Sequence, residues 1–264
     1  MLIGLLSGSG TEAWPGLCER REATVTTPYG PVEHTVGRIG EVDVVHLSRH
    51  GHKHRRLSNH VEHRTNLSAL IAAKVDAVIG FTVCGALDPS VPLGAVVIFD
   101  DLYFPSNRLP DGTLCTFHDR PGEAARGHWI FERPFSEPLR QALIGAEHQV
   151  TVPVVPKGCY GHVDGPRFNS RAEVRVLAGA GVTALSQTAG PEAVLAGEAG
   201  VPYALAGLVT DYANGVTEAS EPVDALLERV ANSSSTFASL VAAAVPTLAA
   251  AELGPVGVVH RVEP

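Results

Sequence analysis

The 264-residue chain carries little charge and few cysteines. Only 18% of its residues are charged and 45% are hydrophobic, so we expect a sizeable core rather than a disordered chain. The four cysteines form no CxxC pair, the spacing that zinc knuckles and thioredoxin-type sites use. Scattered thiols fit a reducing compartment better than a disulfide framework, and we therefore expect a cytoplasmic protein.

The sequence also lacks the segments that direct a chain to a membrane. No continuous apolar run reaches the roughly 18 residues of a membrane span. Residues 1–6 lack the basic region that opens a signal peptide. The formal net charge of −8 argues against nonspecific nucleic-acid binding, although a local pocket can still hold an anion. We therefore expect neither a membrane nor a nucleic acid as partner.

Short apolar runs alternate with helical patterns along most of the chain. The runs of strand length cover residues 2–6, 44–47, 77–81, 95–99, 150–155, 182–185 and 203–209. Helical patterns cover residues 61–74, 171–178, 191–199 and 222–250, and Pro246 is expected to kink or end the last of these. This alternation predicts an α/β fold with a parallel or mixed sheet.

The chain shows neither an internal repeat nor an interdomain linker, so residues 1–264 are predicted to form a single domain. Residues 102–128 break the rhythm with prolines, glycines and many polar residues, and we interpret them as a long functional loop. Residues 250–264 show no clear period and are predicted to form a tail on the surface or on a neighbouring subunit.

Two stretches at predicted strand ends favour anion binding. The small-residue turn Ser7-Gly8-Ser9-Gly10 can point backbone N–H groups at an anion, although an ordinary tight turn or a dinucleotide fingerprint uses similar residues. The stretch 48–56 combines Arg49 and His50 with further basic residues. The rigid donor fork of arginine suits phosphate, whereas a metal site or a solvated basic loop are the alternatives.

Four further stretches offer polar groups beside predicted strand ends or helix starts. Thr82 can donate to an anion, and Cys84 is more typical of a small buried apolar residue than of a nucleophile. Residues 186–192 lead into a helix whose N-terminus attracts anions. In residues 162–173, Asn169 or Ser170 either caps a helix or binds a ligand. Asp211, just past a strand, either forms a turn or acts on a ligand.

Taken together, these stretches resemble purine nucleoside phosphorylases of the trimeric class, and specifically the 5′-methylthioadenosine phosphorylase branch. The resemblance runs from residue 2 to about residue 248. Its signatures stand in a specific order and spacing: Ser7-Gly8-Ser9-Gly10, Arg49-His50-Gly51 with His54, Gly165-Pro166-Arg167-Phe168 followed by Arg171-Ala172-Glu173, and Thr188 with Pro191-Glu192. The family implies one α/β domain with a mixed, barrel-like sheet flanked by helices, assembled as a homotrimer.

The resemblance also implies roles for individual residues. It implies that inorganic phosphate, the co-substrate, is held by Ser9, Arg49, His50, Thr82 and Thr188. It puts the nucleoside against Val83, Phe168, Asn169, Gln187, Asp211 and Ala213, with His54, and His128 of a neighbouring subunit, beside the 5′ substituent. Asp211 would protonate the departing purine while phosphate, held by Arg49 and His50, attacks C1′. The reaction needs neither a metal nor an organic cofactor.

Two residues depart from the branch, and two others distinguish the chain from relatives that cleave 6-oxopurines. Ala213 replaces a second aspartate, and Gln187 replaces a methionine. Gln187 is able to hydrogen-bond a ribose hydroxyl or to reach toward phosphate. Relatives that cleave 6-oxopurines pair a glutamate before the helix with an asparagine in the late loop, whereas this chain has Asn169 and Asp211. A carboxylate accepts readily from a 6-amino group, which favours adenosines over 6-oxopurine nucleosides. A nucleoside-binding protein without turnover is the third alternative.

Overall fold

The structure, a computed structural model, describes residues 1–11, 14–123, 126–218 and 221–262. Its strands are β1 (Leu2–Ser7), β2 (Cys18–Thr27), β3 (Gly30–Ile39), β4 (Val42–Ser48), β5 (Ala77–Ala86), β6 (Val96–Ile98), β7 (Asp101–Tyr103), β8 (Gly127–Ile130), β9 (Val154–Val155), β10 (Cys159–His162), β11 (Ala184–Ser186), β12 (Tyr203–Tyr212) and β13 (Val258–Arg261). The α-helices are α1 (His63–Ala72), α2 (Glu137–Gly145), α3 (Arg171–Gly179), α4 (Ala189–Glu198) and α5 (Val223–Thr247). Short 3₁₀ helices cover His52–His54, Ser58–His60, Glu147–Gln149 and Leu248–Ala250.

The central sheet is mixed and branches at β5. One path runs β2-β3-β4-β1-β5-β11-β10-β7, and β12 pairs with β5 and β6 beside it. Strands β4, β1, β5 and β12 are mutually parallel, so their carboxyl ends lie at one edge of the sheet. Helices α1 and α4 contribute to the core on one face of the sheet, and α2 and α5 to that on the other. The prediction of a single α/β domain with a mixed sheet and flanking helices is confirmed.

The β12–β5 pairing contains a register shift next to Thr210. Val209 pairs with Cys84 and Asp211 pairs with Gly85, so Thr210 is the extra residue of a bulge. A bulge re-aims the side chains that follow it and is frequent beside active sites. Here it sets the direction of Asp211 at the end of β12.

Helix α3 shows why its start could be predicted only to within one residue. Ser170 is the cap: its hydroxyl accepts from the Glu173 backbone N–H, and the Glu173 carboxylate accepts from the Ser170 N–H at 2.7 Å. This reciprocal capping box satisfies two backbone donors at the helix start. The capping role therefore belongs to Ser170, and the Asn169 side chain is left for another purpose.

The structure adds detail to two predicted irregular segments. Of residues 102–128, the part between β7 and β8 is irregular, but no described residue between 104 and 126 lines the main pocket. Arg64 of α1 instead holds this loop by donating to the carbonyls of Leu114 and Thr116. The predicted tail forms β13, which pairs antiparallel with β8. Residues 124–125 and 263–264 lie outside the described residues.

Helix α5 has the length and composition of a membrane span over Val223–Ala250. Its buried side chains Phe237, Leu240 and Val241 belong to the core cluster on one face of the sheet. Packing against the sheet therefore accounts for the apolar side of the helix. As predicted, Pro246 lies at its end, one residue before the last helical position.

Candidate active site

A pocket of about 350 Å³ opens at the carboxyl ends of the parallel strands. That is the size of a small-molecule site, and this edge of an α/β sheet is where ligands gather. Twelve of the residues predicted for the site line it: Ser9, Arg49, His50, His54, Thr82, Val83, Phe168, Asn169, Gln187, Thr188, Asp211 and Ala213. The residues predicted for the site therefore line one cavity, although they come from six separate parts of the chain.

Arg49 is held rigidly in the floor of the pocket. Its Nε donates to Glu192 Oε1 at 2.5 Å and its Nη2 to Glu192 Oε2 at 2.9 Å, and both side chains are fully buried. Nη2 also donates to the Leu6 carbonyl, and Nη1 to the Phe81 carbonyl. Because a guanidinium has five N–H groups, one Nη1–H remains for an anion. Arg49 thus offers a fixed donor whose charge Glu192 already balances.

Tyr203 completes the Arg49–Glu192 cluster. Its hydroxyl donates to Glu192 Oε2 at 2.8 Å. Burial opposes the charge of Arg49, but the neighbouring Glu192 carboxylate outweighs this and raises the pKa of the guanidinium. Burial, with Glu192 adding to it, raises the pKa of Tyr203, so the phenol stays a donor. The Arg49–Glu192 ion pair is fully buried, so the guanidinium keeps its charge without contact with bulk water.

The turn after β1 is shaped around Arg49. A Cβ on Gly8 would overlap Arg49 Nη1, so only glycine lets the guanidinium approach this turn. Ser7 donates to the Thr11 carbonyl and accepts from His46 Nε2, each at 2.7 Å, and these two hydrogen bonds stabilise the turn. The chain then continues into β2 rather than a helix. The dinucleotide interpretation is therefore wrong, because the strand–turn–helix unit that it needs is missing here.

His50 presents a neutral imidazole to the pocket. Its Nδ1 lies 2.8 Å from the Arg56 carbonyl, which can only accept, so Nδ1 carries the proton. Burial, reinforced by the charge of Arg49, lowers the pKa of His50 to about 3. Its ring stacks on that of His54 at a centroid distance of 4.1 Å. Nε2 is therefore an acceptor, which suits a protonated oxygen of an anion such as hydrogen phosphate.

Hydroxyl groups from two other elements complete the anion end. Thr82 Oγ1 lies 3.0 Å from Ser186 Oγ, which joins β5 to β11. Thr188 stands immediately before α4, and its side chain does not cap the helix. A helix N-terminus carries a partial positive charge. Ser9, Thr82 and Thr188 therefore add neutral hydroxyl groups to the pocket lining, and the Thr82 hydroxyl also donates to the Val83 carbonyl at 3.0 Å.

Asp211 lies beside Gly85, four residues along β5 from Phe81, whose carbonyl accepts from Arg49, and so marks the other end of the pocket. Oδ1 accepts from Thr210 Oγ1 at 2.8 Å, which fixes the carboxyl plane. A Cβ on Gly85 would lie 3.3 Å from Oδ2, so the glycine leaves space beside this oxygen. Burial raises the pKa of Asp211 above its ordinary value, against the lowering effects of the Thr210 hydrogen bond and of Arg229. This environment favours the protonated acid.

Asn169 and Phe168 stand near Asp211 in the lining. The backbone carbonyl of Asn169 accepts from Asn214 Nδ2 at 2.7 Å, which positions the residue. Its Oδ1 is buried and has no hydrogen-bond partner among the described residues. Phe168 is 65% exposed, although a large apolar ring is normally buried. An exposed ring beside an unsatisfied buried oxygen is typical of a site for a flat heterocycle.

The remaining predicted residues lie in two different places. Gln187 lines the pocket, but its amide bonds to Ser58 and to the Arg167 carbonyl. His128 lies outside the pocket on an exposed face of β8, paired with His260 of β13.

The stretch 50–54 belongs to the pocket wall, and no group of metal-ligating residues occurs among the described parts of the chain. Burial raises the pKa of Cys84, in line with its interpretation as an apolar residue.

Several residues of the site had no role in the sequence prediction. Glu192 lies behind the pocket as the partner of Arg49, and the need of a buried arginine for a counter-ion is the signal that could have found it. Ser58, Leu226, Leu227 and Val230 line the cavity itself. The last three lie on α5, whose pattern resembles any core helix. Only the folded chain brings this helix against the turn after β1.

Comparison with known proteins gives one consistent family. The chain matches the Phosphorylase superfamily over residues 2–246. It is 37% identical to S-methyl-5′-thioadenosine phosphorylase of Mycobacterium tuberculosis, with 81% of this chain and 77% of the relative covered. It is 32% identical to 6-oxopurine nucleoside phosphorylase of Pyrococcus furiosus, covering 93% and 92%. Methylthioadenosine phosphorylase from Schistosoma mansoni in complex with adenine superimposes with a TM-score of 0.86 at 27% identity, covering 96% and 93%.

Proposed function

Because the chain belongs to the Phosphorylase superfamily, we propose that it uses inorganic phosphate to cleave the N-glycosidic bond of a purine nucleoside. The favoured substrate is 5′-methylthioadenosine or a related 5′-deoxyadenosine, and the products are adenine and a 5-substituted ribose 1-phosphate. The observation that carries the proposal is one pocket with anion donors at one end and a buried carboxyl group at the other. Curated relatives with this named activity include the mycobacterial enzyme described above.

In this proposal, phosphate lies against Ser9, Thr82 and Thr188, with the free Nη1–H of Arg49 beneath it. Neutral His50 accepts a hydrogen bond through Nε2 from the protonated oxygen of hydrogen phosphate, which keeps its proton. Because Glu192 neutralises Arg49, phosphate binding depends on oriented dipoles as much as on net charge. Oriented donors of this kind cost little reorganisation when charge develops. Phosphate both stabilises the positive charge that grows on the ribose and attacks C1′.

The other half of the proposal concerns the leaving purine. As the bond from C1′ to N9 breaks, its electron pair goes to the purine ring. Protonated Asp211 donates to N7, and phosphate oxygen forms the new bond to C1′. The raised pKa of Asp211 favours this protonated form. Phe168 would stack on the base, and Val83 and Gln187 would lie beside the ribose.

In this proposal, the base preference rests on Asn169 together with the Asp211 carboxyl group. The Asn169 Oδ1, which is buried and has no hydrogen-bond partner among the described residues, accepts from a 6-amino group, so that no polar edge is left unpaired. The alternative substrate is a 6-oxopurine nucleoside, and the relative of P. furiosus that covers 93% of the chain supports it. In that case the Asn169 amide is rotated by 180°, so that its NH₂ group donates to the 6-oxo oxygen.

A substrate panel separates these alternatives. We expect the kcat/KM of methylthioadenosine to exceed that of inosine and guanosine by at least tenfold, because one unpaired buried polar group costs about 1–3 kcal/mol. Adenosine is the control for the 5′ substituent. Inosine outpacing both adenosines would reverse the assignment of the base. Binding of every nucleoside without any product would support the third alternative, a binding protein.

We further propose a homotrimer in which His128 of one subunit reaches the 5′ end of a neighbouring pocket. The exposed position of His128 on β8, beside exposed Ile130, supports this arrangement. His54 would contact the 5′ substituent from within the subunit. The four free thiols support a cytoplasmic location, and phosphate is proposed as co-substrate without a further cofactor.

A further inference from the structure

Gln187 makes its hydrogen bonds to protein rather than pointing both ends of its amide into the cavity. Its Oε1 accepts from Ser58 Oγ at 2.7 Å. Its Nε2 donates to the Arg167 carbonyl at 3.0 Å. The two partners lie 129 and 20 residues away in sequence. One amide therefore bridges two segments that are otherwise remote along the chain.

Gly165 is shaped to accommodate this bridge. A Cβ at this position would overlap both Gln187 Oε1 and Ser58 Oγ. Only glycine allows the amide and the hydroxyl to meet directly above the backbone. The turn at 165–169 and the segment 50–60 thus touch through the Gln187–Ser58 contact.

Both bridged segments form walls of the pocket whose side chains the core does not hold. Leu57, beside Ser58, is 53% exposed, and Phe168, beside Arg167, is 65% exposed. Large side chains with so little packing need another restraint if they are to stay in one position. Preorganised walls lower the cost of ordering a site when a ligand binds.

We propose that Gln187 is a positioning residue that ties the 50–60 segment to the 165–169 turn and so holds both walls in place for the nucleoside. We expect the bridge to act on the nucleoside end, because Ser58 and Arg167 make no hydrogen bond to Arg49 or Thr188 among the described residues. His50, at the start of the 50–60 segment, is held separately by the Arg56 carbonyl. The bridge gives Gln187, which stands where the related branch has methionine, a role that does not depend on contact with a ribose hydroxyl.

The test compares Gln187→Leu, Ser58→Ala and the double variant, with the exposed Gln149→Leu as matched control. We expect Gln187→Leu to raise the nucleoside KM about tenfold and to change the phosphate KM less than twofold, because two hydrogen bonds are lost. Ser58→Ala should raise the nucleoside KM about threefold, and the double variant should match Gln187→Leu. With a substrate that lacks the 2′- and 3′-hydroxyls, the tenfold factor should persist. Its collapse to one would show direct ribose contact and overturn the proposal.

A second readout does not depend on activity. The kinetic comparison rests on the proposed function, whereas limited trypsin digestion reports the loops directly. We expect Gln187→Leu and Ser58→Ala each to accelerate cleavage after Arg56 and Arg167 at least threefold. Cleavage after Lys157, which is exposed between β9 and β10 and is followed by Gly158, is the internal control and should not change. Wild-type cleavage rates at Arg56 and Arg167 in Gln187→Leu would overturn the bridge even if the enzyme proved to have another substrate.

Discussion

Replacing Asp211 with asparagine is expected to lower kcat by about 10²- to 10⁴-fold, the usual contribution of a general acid. Asparagine keeps the size of the side chain and can accept from Thr210, but it cannot transfer a proton to the purine. Phosphate binding should change less than twofold, because Asp211 lies at the opposite end of the pocket. Single-turnover assays of base release and calorimetric titration with phosphate measure the two quantities.

Two controls distinguish proton transfer from a general loss of structure. Asp101→Asn changes an exposed aspartate outside the pocket and should retain wild-type kcat. The second control is the pH profile. Since the acid works in its protonated form, wild-type kcat should fall as pH rises through the raised pKa of Asp211. This alkaline decline should be absent from Asp211→Asn, and an unchanged kcat in that variant would remove Asp211 from the role of acid.

The Glu192→Ala variant is expected to lose about 3–5 kcal/mol of stability, because it leaves the buried charge of Arg49 without a partner. For a chain of this size the Tm should fall on the order of 10 °C. Both side chains of the pair are fully buried, and the Tyr203 hydroxyl would lose its acceptor as well. Chemical and thermal unfolding followed by circular dichroism measure the loss.

Glu147→Ala is the matched control for this loss. Glu147 is exposed in a short 3₁₀ helix, and its replacement should change stability by less than about 0.5 kcal/mol. Glu192→Gln offers a milder test, since the amide oxygen can still accept from Arg49. Its stability should lie between those of the wild type and Glu192→Ala. A Tm of Glu192→Ala within 2 °C of wild type would contradict the role of Glu192 as the counter-ion.

The fold was predictable where burial leaves a simple pattern. Strands β5 and β12 are buried along most of their length, so their apolar runs could be recognised in the sequence. The capping residues indicated where α3 begins. The β2–β3 hairpin was missed because most of β2 is exposed and its charged residues are also typical of a loop. The extent of β13 was missed because its pairing with β8, more than 120 residues earlier, leaves no local signal.

The site was predictable in composition but not in its internal contacts. Arg49 and Glu192 are 143 residues apart, and no spacing in the sequence states that one neutralises the other. The buried ion pair of Arg49 with Glu192 could therefore not be predicted from the sequence. The hydrogen bond between Gln187 and Ser58 was missed for the same reason, because the two residues are 129 positions apart in sequence. Contacts between side chains that are remote in sequence can be identified only from the tertiary structure.

The product of the reaction tests the central proposal most directly. The wild-type enzyme is incubated with methylthioadenosine and phosphate, and the sugar product is followed by ³¹P NMR while adenine is measured in parallel. We predict one equivalent of a ribose 1-phosphate for each adenine released, and no release when phosphate is omitted. Adenine released at the same rate without phosphate, together with a free sugar, would contradict phosphorolysis.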